Sequence, residues 1–460
     1  MSGSKIRYSG RLRCVVEQES LFSGLPERLE GNPKGATRRQ DARVVRPTRN
    51  QIQFLTQDLD ATLPEDHQAR AIWDFLERLD LSAFYASIQA VEGGPGRPAS
   101  DPQVLLAVWV YATVEGVGSA RKLDLLCREH DAFRWLCGGV PVDYHLLADF
   151  RSNHQEAMSG LLTKIVATLM AGNLVTLKEV AQDGMRVRAS AGKGSFRRRF
   201  RLEEYLEAAK EQVERLVQER EHPDPGAGLR ERAAQERAAQ ERLERVEHAL
   251  SQLPEVQAAK ERQAKHAGKA RQAKLREARV STTDPEARVM KMAEGSFRPA
   301  YNVQLATDVD SQVIVGVGVI NRGTDLGEGL AMEEQVTQRT GRHPEAYLLD
   351  GGFVHLGDIE ALEGRGVRVY APPKRGKGGR KAVPKPGTEP GVIAWRERME
   401  TEEGQAIYRH RASTAECVNA QFRMKYGMQR LTVRGVTKVT SIALLMAVTH
   451  NLLRWAALTG

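Results

Sequence analysis

The stretch "NLVTLKEVAQDGMRVRAS" (173–190) marks the point at which the sequence changes from helical patterns to strand-like ones. Apolar residues lie on both sides of Asp183 and Gly184, as expected of two short strands. The dipeptide Asp-Gly is typical of a tight hairpin turn. We therefore predict a first strand that ends at Asp183, a turn, and a second strand.

The segments that follow predict an alternation of strands and helices. Tyr301, Val303 and Leu305 alternate with polar residues and begin a predicted hairpin over 300–323. The other predicted elements are a helix at 330–341, a buried strand within "EAYLLDGGF" (345–353), a helix at 356–366, a strand at 367–373 and helices from 393 to the end. This order predicts a mixed α/β sheet.

The last predicted helix, 441–458, is apolar enough to resemble a membrane span. It contains His450, Asn451 and Arg454, which a true span rarely tolerates. We predict a buried terminal helix and no membrane partner.

The first part of the chain does not show this pattern of strands. Residues 1–60 have few periodic signals and are expected to form an arm with little structure of its own. Residues 61–172 predict short helices joined by Gly turns, and we interpret them as a helical DNA-binding domain. An ordinary helical bundle remains the alternative. The basic residues expected to be exposed there are Arg121, Lys122, Arg128, Arg134 and Arg151.

Residues 200–290 are rich in Glu, Arg, Ala and Gln and interrupt the strand pattern. They predict two or three charged helices, with breaks at Pro223, Pro225 and Pro254. We expect a helical arm inserted into a catalytic core made of residues 173–199 and 291–460. A solvated spacer without function is the alternative.

Composition favours a polyanionic partner. The 460 residues include 68 Lys and Arg against 59 Asp and Glu, which gives a net charge of +9 and a pI near 9.4. The four cysteines form no Cys-x-x-Cys pair, so neither a zinc knuckle nor a disulfide framework is predicted. The absence of an apolar signal sequence and the cysteine usage fit a cytoplasmic protein.

Acidic residues at two predicted strand ends suggest a metal centre. Asp183 and Asp350 are each followed by Gly, and Glu416 on the predicted helix 408–427 could complete a set of three. Clustered carboxylates need a cation, and hard oxygen ligands select Mg²⁺ or Mn²⁺. A pair of such ions suits phosphoryl transfer on nucleic acid. Asp308 and Asp325 are alternative members of the set.

Two basic tracts flank the proposed acidic centre. Residues 186–201 and residues 365–381 each contain seven Lys or Arg and no acid. A phosphodiester substrate requires such surroundings. The candidate DNA-binding residues in these tracts are Arg186, Arg188, Lys374 and Arg375.

The sequence resembles a known family at several places. Residues 96–151 are similar to the N-terminal helical domain of bacterial insertion-sequence transposases. "VAQDGMRVRASAG" (180–192), "PAYNVQLATD" (299–308), "YLLDGGF" (347–353) and "YRHRASTAECVNAQFR" (408–423) resemble successive blocks of their DDE catalytic domain. The most similar group is the one named after insertion sequence eleven-eighty-two.

The resemblance implies an RNase H-like catalytic core that cuts and joins DNA with two Mg²⁺ ions, for which Mn²⁺ can substitute. Matched by motif, the catalytic and metal-binding triad is Asp183, Asp350 and Glu416. Tyr408 and Arg411 correspond to the tyrosine and arginine of the family's Tyr-Arg-Glu block, and Arg423 to its later basic residue. Four residues separate Arg411 from Glu416, where the commonest version has three. The helix with these residues is expected to lie along DNA.

The resulting prediction is a DNA transposase that binds the terminal inverted repeats of an insertion sequence and catalyses strand cleavage and transfer. Double-stranded DNA is the expected partner, a homodimer or higher oligomer the expected assembly, and the nucleoid of a bacterial cytoplasm the expected location. The alternatives are a metal-dependent nuclease without strand transfer and a DNA-binding derivative that has lost catalysis.

Overall fold

The structure is a computed structural model that describes residues 58–90, 98–221, 228–265, 277–373 and 387–459. The predicted N-terminal arm lies outside the described residues, apart from 58–60. Lys374, Arg375 and the predicted breaks at Pro223 and Pro225 also lie outside them.

The N-terminal part is helical, as predicted. Asp101 caps one helix by accepting a hydrogen bond from the backbone N–H of Gln103 (2.8 Å), and Ser119 caps the next. Gly138 ends a later helix in the left-handed conformation (φ 53°). The helices are α1 (Gln68–Glu77), α2 (Ser82–Tyr85), α3 (Pro102–Val114), α4 (Ala120–Glu129), α5 (Asp131–Cys137), α6 (Tyr144–Asn153) and α7 (Gln155–Ala171).

A six-stranded sheet follows, with a separate two-stranded ribbon. The strands are β1 (Glu179–Arg188), β2 (Phe196–Arg197), β3 (Val280–Ser281), β4 (Arg288–Lys291), β5 (Phe297–Asp308), β6 (Ile314–Ile320), β7 (Ala346–Leu349) and β8 (Arg368–Tyr370). The order in the large sheet is β4-β5-β1-β7-β8, with β6 also paired with β5. Strand β1 is antiparallel to β5 and parallel to β7, and β7 is parallel to β8. The predicted mixed sheet and the hairpin over 300–323 are therefore confirmed.

The predicted turn at Asp183 and Gly184 is wrong. Strand β1 runs through both residues and pairs with β5 from Val180 to Arg188. Gly184 lies where the strand leaves no room for a side chain, because an added Cβ atom would lie 2.3 Å from an oxygen of Asp325. The glycine therefore serves a close approach within a strand, not a hairpin.

The remaining helices are the two long helices of the insertion, α8 and α9, and those that alternate with or follow the later strands. They are α8 (Arg199–Glu221), α9 (Leu229–Lys265), α10 (Glu328–Thr340), α11 (Leu356–Gly364), α12 (Pro390–Glu400), α13 (Glu402–Arg411), α14 (Cys417–Met424) and α15 (Val436–Thr459). Between α13 and α14 the chain forms a π-helix, Ala412–Glu416.

The C-terminal helix α15 is a central core element. By length and composition it could span a membrane, but 72% of its apolar window is buried inside the structure. It packs against α3, α6, α7 and β6, so the N-terminal helices and the sheet share one hydrophobic core. The predicted burial of this helix is confirmed.

His450 on α15 makes the stability of the fold dependent on pH. Burial lowers the pKa of His450 to about 4, and its ring contacts the carbonyl oxygen of Gln312 (2.8 Å) and the hydroxyl of Tyr426 (3.3 Å). The unfolded chain takes up this proton near its ordinary pKa of about 6.5, whereas the folded chain does not. Stability is therefore complete above about pH 6.5 and falls as the pH drops towards 4.

We expect the free energy of unfolding to fall by about 2 kcal/mol through His450 between pH 7 and pH 5. His450→Gln keeps a donor and an acceptor but cannot titrate in this range. Chemical denaturation at both pH values should show a smaller pH effect in this variant than in the wild type. An equal effect in both would contradict the assignment.

The inserted helices α8 and α9 pack mainly on each other. Pro254 lies inside α9, so the predicted break at this residue is wrong. The adjacent Leu253 and the nearby Val256 are buried, so packing holds this part of the helix in place. The small separate core of the arm consists of Leu202, Ala249, Leu253, Val256, Ala278 and Val280.

Candidate active site

Asp183 and Asp350 come together because β1 and β7 are parallel neighbours. Their ladder pairs Glu179 with Ala346 and ends with Gln182 opposite Leu349. The next residue on each strand is the acid, so both carboxylates lie at the same edge, just beyond the last pair. The prediction that Asp183 ends a strand is therefore wrong. Asp183 lies within β1, at the point where β1 loses its parallel partner β7.

Asp350 is exposed and directly follows β7. Its Oδ1 atom accepts a hydrogen bond from the backbone N–H of Gly351 (2.7 Å). The backbone N–H of Phe353 bonds back to the carbonyl oxygen of Asp350 (3.0 Å) and closes a turn. This turn leaves Oδ2 accessible for a ligand.

Two side chains from the C-terminal helices hold the carboxylate of Asp183. Arg411 forms an ion pair with Oδ1 (Nη2–Oδ1 3.2 Å), and Asn419 donates a hydrogen bond to Oδ2 (2.9 Å). Arg411 and Asn419 are themselves buried. Arg411 Nε and Asn419 Oδ1 have no hydrogen-bond partner among the described residues. Buried polar atoms of this kind often mark functional sites.

The π-helix accounts for the extra residue between Arg411 and Glu416. A π-turn places one more residue in the helix than an α-turn does, and such turns are frequent at functional sites. It packs against β1 and β5, directly after Arg411. The segment predicted as one helix, 408–427, is therefore interrupted by a π-turn that ends at Glu416. Glu416 itself is exposed.

Tyr408 lies within electrostatic reach of all three predicted triad acids. Burial raises the pKa of Tyr408, and the carboxylates of Asp350, Asp183 and Glu416 raise it further, while Arg411 opposes them. All three carboxylates are therefore near enough to Tyr408 to influence its hydroxyl.

The carboxyl group of Asp183 is in an unfavourable environment for its charge. Burial is the main cause that raises the pKa of Asp183, and Asp350 and Asp325 add to it. Arg411 and the backbone N–H of Gly184 lower the pKa but do not cancel the increase. Negative charge at this site is therefore only partly compensated by the protein.

The two alternative acids occupy different positions. Asp308 is buried and structural, because its Oδ1 accepts from the backbone N–H of Leu177 (2.9 Å) and its Oδ2 from the hydroxyl of Ser311 (2.6 Å). Asp325, by contrast, lies close enough to Asp183 to raise its pKa.

The predicted DNA-binding residues are distributed over several surfaces. Arg121 and Lys122 are exposed on the first turn of α4, Arg188 is exposed on β1, and Arg423 is half-buried on α14. Arg186 donates hydrogen bonds to the carbonyl oxygens of Lys291 (2.9 Å) and Gly323 (3.0 Å), so it is an anchor of the structure as well as a surface cation.

Arg128 is exposed, as expected, whereas the predicted exposure of two other N-terminal arginines is corrected. Arg134 is half-buried and pairs with Asp131. Arg151 is buried. It stacks on the ring of Trp109 (4.3 Å to the ring centre) and donates to the carbonyl oxygen of Gly118 (2.7 Å). Its charge is therefore part of the packing between the helices.

Asn419 is a site residue for which sequence reasoning predicted no role. Its only signal was its position three residues after Glu416, on the same helical stripe. The prediction that Glu416 joins Asp183 placed this stripe near the site, but it assigned Asn419 no contact there.

The donor chemistry of the site suits a hard divalent cation. Asp183 and Asp350 supply carboxylate oxygens at one strand edge, and their negative charge is only partly compensated. In the part of the chain that the structure describes, no three His, Cys, Asp or Glu side chains are already gathered at ligand distance. A cation would therefore have to draw these side chains together.

Comparison with protein families gives two matches. Residues 57–153 match the family described as "Transposase domain (DUF772)", and residues 374–456 match the family described as "Transposase DDE domain". The chain therefore has both kinds of transposase domain, which supports a DDE transposase as its class. The second match includes Tyr408, Arg411 and Glu416, whereas Asp183 and Asp350 lie in neither match. Comparison with curated proteins and with solved structures gives no match.

Proposed function

We propose that this protein is an insertion-sequence transposase that binds the terminal inverted repeats of its element and catalyses cleavage and strand transfer of DNA. Its core would be RNase H-like, and its group the one named after insertion sequence eleven-eighty-two. Strand β1, antiparallel to β5 and parallel to β7, supports such a core. The protein would act in the bacterial cytoplasm, on nucleoid DNA, as a homodimer or higher oligomer.

The observation that carries this proposal is the meeting of Asp183 and Asp350 next to the helix that contains Glu416. Three separate segments of the chain supply these acids. Arg411 and Asn419 connect the last segment directly to Asp183.

In the proposed mechanism, Asp183, Asp350 and Glu416 would hold two Mg²⁺ ions, for which Mn²⁺ could substitute. When bound, such ions activate the attacking oxygen and stabilise the leaving oxygen of a phosphodiester. Arg411 and Asn419 fix the orientation of the Asp183 carboxylate. The exposed cations Arg121, Lys122 and Arg188 bind backbone phosphates and position the DNA.

Incubation of the full chain with a duplex that contains the element end tests the proposal. Cleavage followed by joining is expected with Mg²⁺ or Mn²⁺ and not with excess EDTA. Cleavage without joining would favour the nuclease, and binding without cleavage under all metal conditions would favour the non-catalytic derivative.

The arm formed by α8 and α9 is proposed to contact DNA or a second protomer in a paired-end complex. Its two ends meet where Arg197 pairs with Val280 in the β2–β3 ribbon. Its side chains reach the large sheet through Arg288, which bonds to Gln252 (2.6 Å) and lies 3.8 Å from Glu255.

We expect that a short Gly/Ser linker in place of residues 202–277 lowers the free energy of unfolding of the core by at most about 2 kcal/mol, because only a few polar contacts to the large sheet are lost. Strand transfer should fall far more than this. Thermal melting and the joining assay measure the two effects. Unfolding of the core, or transposition at the wild-type level, would refute this role.

A further inference from the structure

A buried polar cluster lies on the sheet face opposite to the side chain of Asp183. In the β1–β5 ladder, Gly184 pairs with Gln304 and Arg186 pairs with Asn302. These four residues share one face, because side chains alternate along a strand. Asn302 and Gln304 are fully buried there.

Asp325, in the loop after β6, lies on this cluster. Its Oδ1 atom accepts hydrogen bonds from Asn302 Nδ2 (2.6 Å) and Gln304 Nε2 (2.7 Å). The side chain of Asp325 is only 17% exposed. Burial of a carboxylate is costly, so the two amide donors are needed to keep it in place. They are neutral, and the negative charge therefore remains.

The cluster continues across the sheet as a chain of hydrogen bonds. The hydroxyl of Tyr347 donates to Gln182 Oε1 (2.8 Å), and Gln182 Nε2 donates to Gln304 Oε1 (3.2 Å). Tyr347 and Gln182 lie on β7 and β1, the strands that position Asp350 and Asp183. Asp325 is thus coupled to the scaffold of the site.

The second oxygen of Asp325 is placed differently from the first. The nearest cation, Arg186, is 3.9 Å from Oδ2, which is too long for a hydrogen bond. A Cβ atom built on Gly352 would lie 3.8 Å from this Oδ2 and 3.6 Å from Asp350 Oδ2. Both oxygens therefore border the same small space. In Asp308, both oxygens accept hydrogen bonds from the protein.

We propose that Asp325 is a positioning residue of the catalytic centre, a fourth carboxylate that is anchored through Oδ1 and presents Oδ2 beside Asp350. It orders the strand edge and supplies negative charge that strengthens binding of a divalent cation by Asp183 and Asp350. This inference rests on the proposed function.

Asp325→Asn removes the negative charge of the side chain but keeps its size and shape. The asparagine oxygen can still accept from Asn302 and Gln304, so the fold is expected to persist. Loss of a supporting group commonly weakens metal binding 10–100-fold. We expect half-saturation with Mn²⁺, followed by electron paramagnetic resonance of the free ion, to require about tenfold more metal than in the wild type. Asp325→Glu restores the charge and should recover part of the affinity.

A second measurement compares metal binding through the rise in melting temperature on addition of Ca²⁺. Each variant is compared with its own metal-free melting temperature, so a general loss of stability does not affect the result. Asp124→Asn is the matched control, since Asp124 is similarly shielded but lies on α4. Wild-type affinity and a wild-type Ca²⁺ shift in Asp325→Asn would overturn the role of Asp325 alone. If the wild-type protein binds no Mn²⁺, the proposed function fails as well.

Discussion

Asp350→Asn is expected to lower cleavage of an element-end duplex by at least about a thousandfold. The change removes a charge from the carboxylate pair at the β1–β7 edge, and loss of several kcal/mol of transition-state stabilisation has an effect of this size. The asparagine oxygen can still accept from the backbone N–H of Gly351, which now bonds to Asp350 Oδ1 (2.7 Å). The melting temperature should therefore change little.

Single-turnover cleavage and DNA binding, measured on the same preparation, check this expectation. Asp310→Asn is a matched control, because Asp310 is also an exposed aspartate next to a strand but lies in the β5–β6 turn. Cleavage by Asp350→Asn near the wild-type rate would remove Asp350 from the proposed triad.

The second large effect is expected from Gly184→Ala. The added Cβ atom would lie 2.3 Å from Asp325 Oδ1, 2.5 Å from Gln304 Nε2 and 2.9 Å from Asn302 Oδ1. Asp325 Oδ1 and Gln304 Nε2 cannot withdraw without loss of the buried hydrogen bond that joins them, and Asn302 is held by its own Nδ2 donation to Asp325 Oδ1. We expect a loss of about 1–3 kcal/mol in the free energy of unfolding. Displacement of the neighbouring Asp183 should lower cleavage by about a hundredfold.

Gly192→Ala is the control for this variant, because no atom lies within 4 Å of a Cβ atom built there. Denaturant unfolding and the cleavage assay compare the two alanine variants. If Gly184→Ala were as stable and as active as Gly192→Ala, the close packing around Gly184 would not be required for the site.

Much of the sheet was predictable from local patterns. Alternation of Tyr301, Val303 and Leu305 identified β5, and an apolar run that ends in an acid identified β7 and Asp350. The resemblance around Tyr408 and Arg411 predicted a site shared with Asp183, and the structure pairs Arg411 with the carboxylate of Asp183. The catalytic roles of these residues stay predictions.

The features that sequence reasoning missed depend on contacts between distant segments. Asp183-Gly184 has the local signature of a turn, but the side chains of Asp325 and its neighbours require a glycine within a continuous strand. Arg151 is a charged residue of the kind usually found at a protein surface. In the structure it stacks on the ring of Trp109 and donates to the carbonyl oxygen of Gly118, so its side chain is buried. The link from Asn419 to Asp183 joins residues far apart in the chain, which periodicity does not reveal.

The central claim is that Asp183, Asp350 and Glu416 hold the same divalent cations. Fe²⁺ in place of Mg²⁺, with ascorbate and peroxide, generates hydroxyl radicals that cut the polypeptide close to the bound ion. Cuts are expected near residues 183, 350 and 416, with a further group near Asp325, whose Oδ2 borders the same space as Asp350 Oδ2, and excess Mg²⁺ should suppress all of them. Cuts confined to other parts of the chain, or to only one of the segments around 183, 350 and 416, would refute the shared site.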